Sequence, residues 1–139
     1  MKKYWLILCM ICLMASSCAS GENTRPLVGS WRLTAYGPVD STTPAVPDVE
    51  ATLIFGEDGT LAGSTGCNEL SGEYTVEGDQ IMFSQIVSTL ILCPDLQMAQ
   101  EDAMLRVFAG TASFKIEGDT LTIAKDGMVL VFQAMASAA

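Results

Sequence analysis

The sequence contains no histidine and only seven basic residues against sixteen acidic ones. Without histidine there is no Ser–His or Cys–His pair to activate a nucleophile. A zinc site also loses its usual nitrogen ligand, and the cysteines are too few to replace it. No glycine-rich phosphate loop is present. Long apolar runs are scarce as well. The one uninterrupted run, Tyr4 to Met14, is eleven residues, against the roughly 20 that a helix needs to span a bilayer core.

That run has a different use. Lys2 and Lys3 precede it, and the small residues Ala15, Ser16 and Ser17 follow it, immediately before Cys18. A basic start, a short apolar stretch and small residues make a secretory signal. We expect residues 1–17 to be removed on export. Ala15-Ser16-Ser17-Cys18 resembles a lipobox, although Ala15 stands where leucine is usual. Two readings follow: Cys18 is acylated, or cleavage is ordinary and Cys18 is incidental. The preferred reading is a lipid anchor, with residues 18–25 as a short tether and the chain facing the periplasm, more at the outer membrane than the inner. Without acylation the protein would be secreted.

Removal of the signal takes two lysines and no acid, leaving a net charge of −11. Such a chain repels nucleic-acid phosphates, so no nucleic-acid partner is expected. It repels anionic lipid surfaces too, so membrane contact would come through the lipid anchor. About 120 remaining residues make one domain, here expected over 26–133 with a small-residue tail over 134–139.

Of five cysteines, Cys9 and Cys12 lie in the signal and Cys18 is the acylation candidate. Cys67 and Cys93 remain, an even pair in an oxidising compartment. A disulfide between them is the preferred reading. A Cys-only metal site lacks ligands, and a redox pair usually has Cys-x-x-Cys spacing.

The rest of the chain reads as strands. Trp31, Leu33 and Ala35 alternate with Ser30, Arg32 and Thr34, the period of a half-buried strand. Residues 37–47 hold three prolines and read as a loop. Ala51–Phe55 and Thr60–Gly63 flank Glu57-Asp58-Gly59, and Tyr74–Val76 and Gln80–Phe83 flank Glu77-Gly78-Asp79. Each set reads as a hairpin. Ile86–Leu92 is apolar and reads as a further strand. The period then changes: Asp95 reads as an N-cap, and Leu96, Ala99, Ala103, Leu105, Val107 and Phe108 suit one face of a helix that stops at Gly110. Two hairpins follow, through Glu117-Gly118-Asp119 and Lys125-Asp126-Gly127. Residues 74–81 resemble 114–121, either as a duplication or as two efficient hairpins.

The order of features resembles the META domain family, whose bacterial members include HslJ-like heat-shock lipoproteins. The matching residues are Val28-Gly29-Ser30-Trp31-Arg32-Leu33, Gly66-Cys67-Asn68, Gly72-x-Tyr74, Thr89 to Cys93 and Gly118-Asp119-Thr120-Leu121. Within these, Trp31, Gly66, Asn68 and Thr89 stand as motif positions. The resemblance implies an α+β, mostly antiparallel fold: a curved sheet or open barrel of about eight strands with one helix against it. It also implies envelope roles in stress response or antibiotic tolerance, and a likeness to secretion pilot lipoproteins.

No catalytic residue, metal ligand or cofactor site is assigned. The acids sit in Glu-Gly-Asp and Glu-Asp-Gly turns, where carboxylates are normally solvated, and no calcium-loop spacing is present. Asn68 either ties the loop backbone beside Cys67 or touches a ligand at the barrel mouth. Trp31 is expected in the core. Arg32 and Arg106 are expected to meet acidic turns as modest surface pairs. The functional expectation is a non-enzymatic envelope lipoprotein that binds or stabilises an envelope protein. The alternative is a carrier holding an apolar ligand among Met82, Phe83, Leu105, Phe108 and Phe114, or a pilot-like lipoprotein.

Overall fold

A computed structural model describes residues 26–136. The signal segment, Cys18 and the tether lie outside the described residues, as do residues 137–139 of the expected tail. Nine strands and one helix follow in order: β1 Gly29–Pro38, β2 Thr43–Pro44, β3 Ala51–Phe55, β4 Thr60–Thr65, β5 Glu69–Glu77, β6 Gln80–Ser88, α1 Asp95–Val107, β7 Thr111–Glu117, β8 Thr120–Lys125 and β9 Met128–Ala134.

Every pairing is antiparallel, and consecutive strands are neighbours from β3 to β9. β1 pairs β3 through residues 29–32 and β9 through residues 31–38, which closes eight strands into a barrel. The two-residue β2 is an appendage on β1. The expected eight-strand antiparallel architecture with one helix is therefore present, and its ring is closed rather than open. Closure leaves few free edges for other chains to pair with.

The hairpin turns follow from their glycines. Gly78-Asp79 and Gly118-Asp119 are two-residue loops with φ of 60° and 59° at the glycine. Positive φ at the first central position matches the right-handed twist of the flanking strands.

Inward-facing side chains fill the barrel. Trp31, Leu53, Phe55, Leu61, Ile81, Leu121, Ile123, Leu130 and Phe132 are all buried. A register shift in β1 between Leu33 and Ala35 turns the strand so that Tyr36 follows Leu33 inward. The simple alternation expected there breaks at that bulge. Helix α1 touches β9, β1 and β8 on one arc of the ring and β4 on the opposite arc. It therefore lies across one mouth and plugs it with Met104, Val107 and Phe108, the last against Phe83 with ring centroids 5.0 Å apart.

Four details differ from expectation. β6 ends at Ser88, so residues 89–94 are not a strand but an irregular segment leading to the helix. Asp95 is the first helical residue, and Pro94 holds the cap position without a side-chain bond. The helix buries Gln100, Glu101, Ala103, Met104 and Val107, while Leu96 is exposed. At the other end, β9 takes in Ala134, and the Met135 amide donates to the Ser30 carbonyl at 2.8 Å. The first two residues of the expected tail therefore belong to the barrel.

Candidate functional site

The feature that stands apart from the closed, filled barrel is the segment Thr89–Pro94. Its apolar side chains face solvent: Leu90 is 92% exposed, Leu92 90% and Ile91 59%. Val87 before it and Leu96 after it are also exposed. Scattered exposed leucines need no explanation, but a contiguous apolar patch does.

The segment is not loose. Asn68, buried at the start of β5, grips it from below. Its Oδ1 accepts from the Ile91 amide at 2.7 Å and from the Thr89 hydroxyl at 2.7 Å. Its Nδ2 donates to the Ile91 carbonyl at 3.1 Å. The same amide group donates to the Glu101 carboxylate at 2.9–3.0 Å. Both lone pairs and both N–H groups of the amide are thereby used. Thr89 completes the join, since its hydroxyl accepts from the Glu69 amide and its own amide donates to the Glu69 carbonyl. Cys67 and Cys93 are joined in a disulfide, which fastens the far end of the segment beside Asn68.

Three further residues support Asn68. The Thr65 hydroxyl donates to Glu101 Oε2 at 2.6 Å and accepts from the Asn68 amide at 2.9 Å. Gln100 donates to the Thr65 carbonyl at 2.7 Å and accepts from the Val46 amide at 2.8 Å. Glu101 is buried against neutral donors, a hydroxyl and an amide. Gly66 allows the close approach: its φ is +88°, and a Cβ there would press on Gln100 and Val49. Every buried side-chain nitrogen and oxygen among the described residues has a partner. A fully satisfied network of this kind is rigid.

The sequence positions Gly66, Cys67, Asn68, Thr89 and Cys93 thus converge on one cluster. Trp31 does not join it. It sits in the core and donates from Nε1 to the Leu27 carbonyl at 2.8 Å. Thr65, Gln100 and Glu101 are cluster members that sequence reasoning misses. For Gln100 and Glu101 the signal is the spacing 100, 103/104, 107/108, which puts both on the face that carries Met104 and Phe108; Thr65, at the end of β4, has no such signal. The arginines pair differently from expectation. Arg106 meets Asp102 of its own helix at 2.9 Å, and Arg32 meets Glu50 at 3.6 Å, all exposed.

Charge along the chain on either side of the loop is one-sided. No lysine or arginine occurs between Arg32 and Arg106, a stretch with twelve acidic residues. That stretch supplies β3 to β6, the loop and most of the helix. A shallow surface groove of about 330 Å³ lies at the base of the loop, lined by Glu69, Leu70, Ser71, Val87, Ser88 and Thr89. Among the described residues no cluster of three or more acidic or cysteine side chains is placed to hold a metal ion.

Two comparisons with known proteins agree with this architecture. The family model described as META domain matches residues 25–137. An NMR structure of a protein from Burkholderia xenovorans superposes with a TM-score of 0.65 at 20% identity, covering 78% of this chain and 82% of that one. A crystal structure of a lipocalin-like protein from Bacteroides uniformis gives a TM-score of 0.53 at 17% identity, covering 78% and 98%. These likenesses are of fold. No curated protein matches the chain.

Proposed function

The chain belongs to the META domain family, and from that premise we propose that it is a non-enzymatic lipoprotein of the cell envelope that binds a protein partner. The observation that carries this reading is the exposed apolar segment Leu90-Ile91-Leu92, held rigid by Asn68 and the Cys67–Cys93 disulfide. Exposing three aliphatic side chains serves no stability purpose, and pre-ordering them removes an entropic cost of association. Acylation at Cys18 would place this surface at a membrane, with the outer membrane preferred. The family's roles in stress response and tolerance of antibiotics fit a protein that protects or restrains another envelope component.

A carrier of an apolar ligand is the second reading, and the lipocalin-like name of the Bacteroides uniformis protein lends it interest. Side chains such as Trp31, Phe55 and Phe132 occupy the barrel interior here, and packed side chains leave little room for a guest. Native mass spectrometry of protein from its own host would separate the two. A bound small-molecule mass would favour the carrier.

The test of partner binding is crosslinking in detergent-solubilised envelope at native expression, comparing the natural chain with Leu90→Asp/Leu92→Asp. We expect a reproducible protein partner that the double variant loses. A partner captured equally by both, or none at all, would count against this reading.

A further inference from the structure

We propose that Thr89–Pro94 is a substrate-like loop that occupies the cleft of an endopeptidase with an aliphatic specificity pocket, and that the protein inhibits that peptidase. The inference rests on the partner-binding reading above and names the class of partner.

Peptidase clefts take their substrates as extended chain, through backbone hydrogen bonds and pockets for alternate side chains. The loop has that form. Residues 89–94 are neither helical nor turned, none has a positive φ, and Pro94 sits at φ −54°, ψ 151°. Among the described residues, the backbone N–H and C=O groups of Leu90 and Leu92 make no hydrogen bond. They are free to pair with a cleft. Among the described residues Leu90 and Leu92 are the two most exposed large apolar groups, with the less exposed Ile91 between them.

What separates an inhibitor from a substrate is the response to attack. Hydrolysis of a peptide bond between Leu90 and Leu92 would add one water and leave a carboxylate and an amine. Neither new end would leave. On one side Thr89 is held by Glu69 and Asn68. On the other, Cys93 is held by its disulfide to Cys67. Ile91, in the middle, is held through both backbone groups by Asn68. A cut loop therefore stays in place, blocks the cleft, and keeps its ends positioned to rejoin. A flexible loop of the same sequence would be cut and released.

Charge narrows the partner further. With twelve acids and no basic residue from 33 to 105, the chain segments that flank the loop would favour a cleft with a basic rim. They also disfavour insertion of the loop into an anionic bilayer, the other use of three exposed aliphatic residues.

The experiment uses the mature chain with its disulfide intact. It is titrated against thermolysin, subtilisin, elastase and chymotrypsin, and against the peptidase activity of the host's own envelope fraction. We expect saturable inhibition of at least one. Leu90→Asp/Leu92→Asp should weaken it by roughly 30-fold or more, with an unchanged thermal midpoint confirming the fold. After reduction of the disulfide, the same peptidase should cut between Thr89 and Cys93 and go free. No inhibition in any of these assays would overturn the proposal, as would inhibition indifferent to the leucines, or cutting of the oxidised loop as fast as the reduced one. Leucine-dependent binding to phosphatidylethanolamine–phosphatidylglycerol vesicles would overturn it in favour of lipid. A leucine-dependent crosslinked partner without peptidase activity would overturn it while leaving the partner-binding reading intact.

Discussion

Asn68 bonds both backbone groups of Ile91, accepting from its amide at 2.7 Å and donating to its carbonyl at 3.1 Å. The side chain imitates a neighbouring strand, so a loop with no sheet partner is held as if it had one. Asn68→Ala strips Glu101 of its amide donor and leaves the Ile91 groups to find water. Each unsatisfied buried group costs ~1–3 kcal/mol, so we expect Asn68→Ala to lose roughly 2–4 kcal/mol. Asn68→Asp should lose at least as much at neutral pH, because it sets a second carboxylate about 3 Å from Glu101. Urea unfolding with an unchanged m-value would check both. A loss below about 1 kcal/mol would show that the network matters little.

The disulfide closes a loop 26 residues on in sequence, between Cys67 and Cys93. In the chain-entropy model a loop of this length contributes ~3.5 kcal/mol by restricting the unfolded chain. We expect the Cys67→Ser/Cys93→Ser variant to lose about that much. Thiol labelling of the denatured, unreduced protein should leave both cysteines unmodified, and free labelling at both would refute the pairing in the native molecule.

Parts of this architecture are legible in the sequence because they are local. The Gly78-Asp79 and Gly118-Asp119 turns announce themselves, since positive φ at those positions requires glycine or a close substitute. The tie from Asn68 to the backbone is one of the two uses its place beside Cys67 suggests, and its burial and its bonds to Ile91 decide for it. The ring closure between β1 and β9 is not, because it joins residues about a hundred apart and no local pattern encodes it. The segment Ile86–Leu92 is read correctly only in part. Ile86 to Ser88 finish β6, with Ile86 packed against the core, whereas Leu90, Ile91 and Leu92 are exposed although their apolar character suggests burial. Gln100 and Glu101 mislead in the opposite sense: their partners Thr65, Asn68 and Val46 lie on distant segments, so their polarity says nothing of their burial.

Gly63 sits in β4 directly opposite Leu53, and a Cβ there would collide with the backbone carbonyl of Thr52. Backbone cannot swing aside as a side-chain tip can. We expect Gly63→Ala to lose about 1–3 kcal/mol through forced displacement of β3. Gly78→Ala should behave differently: a Cβ there meets nothing within 4 Å, and the loss would come only from its φ of +60°. Thermal melts of the two variants would separate crowding from backbone strain, and equal losses would contradict this account.

Tyr74 joins two strands and a turn. Its hydroxyl donates to the Gly56 carbonyl at 2.6 Å, and its ring meets Phe55 edge-on. Burial raises its pKa above the usual 10.0, and the nearby Asp58 carboxylate raises it further. A raised folded-state value means that the neutral phenol is favoured by folding. That contribution is complete below pH 10 and is lost as pH climbs through the folded value. Ultraviolet titration of the folded protein should therefore show a late phenolate component that Tyr74→Phe removes and Asp58→Asn moves to lower pH.

Asp58 has the opposite sign. Bonds from the Thr60 hydroxyl and amide hold its carboxyl below the usual carboxylate range. Its contribution to the β3–β4 turn is present above the ordinary aspartate value and fades as pH falls through the lowered one. The protection of the Thr60 amide, its exchange rate by NMR relative to the intrinsic rate at the same pH, should fall in acid for the natural chain and be low at all pH values in Asp58→Ala. Protection at Thr60 that is indifferent to pH in the natural chain would remove the case for this turn bond.

Acylation at Cys18 would act through geometry as much as affinity. One acyl chain gives only marginal membrane binding, and stable anchoring takes more than one. Seven residues then separate Cys18 from Pro26, the first described residue. Fully extended, they reach roughly 25 Å, about one domain diameter, so the barrel would stay close to the membrane. Cys18→Ser should release the protein into the soluble periplasmic fraction without changing its thermal midpoint. If the soluble variant no longer captures its partner from intact cells but still does so from detergent extract, the anchor serves to bring the two together. Unchanged membrane retention of Cys18→Ser would instead mean that the protein is not held by a lipid at that residue.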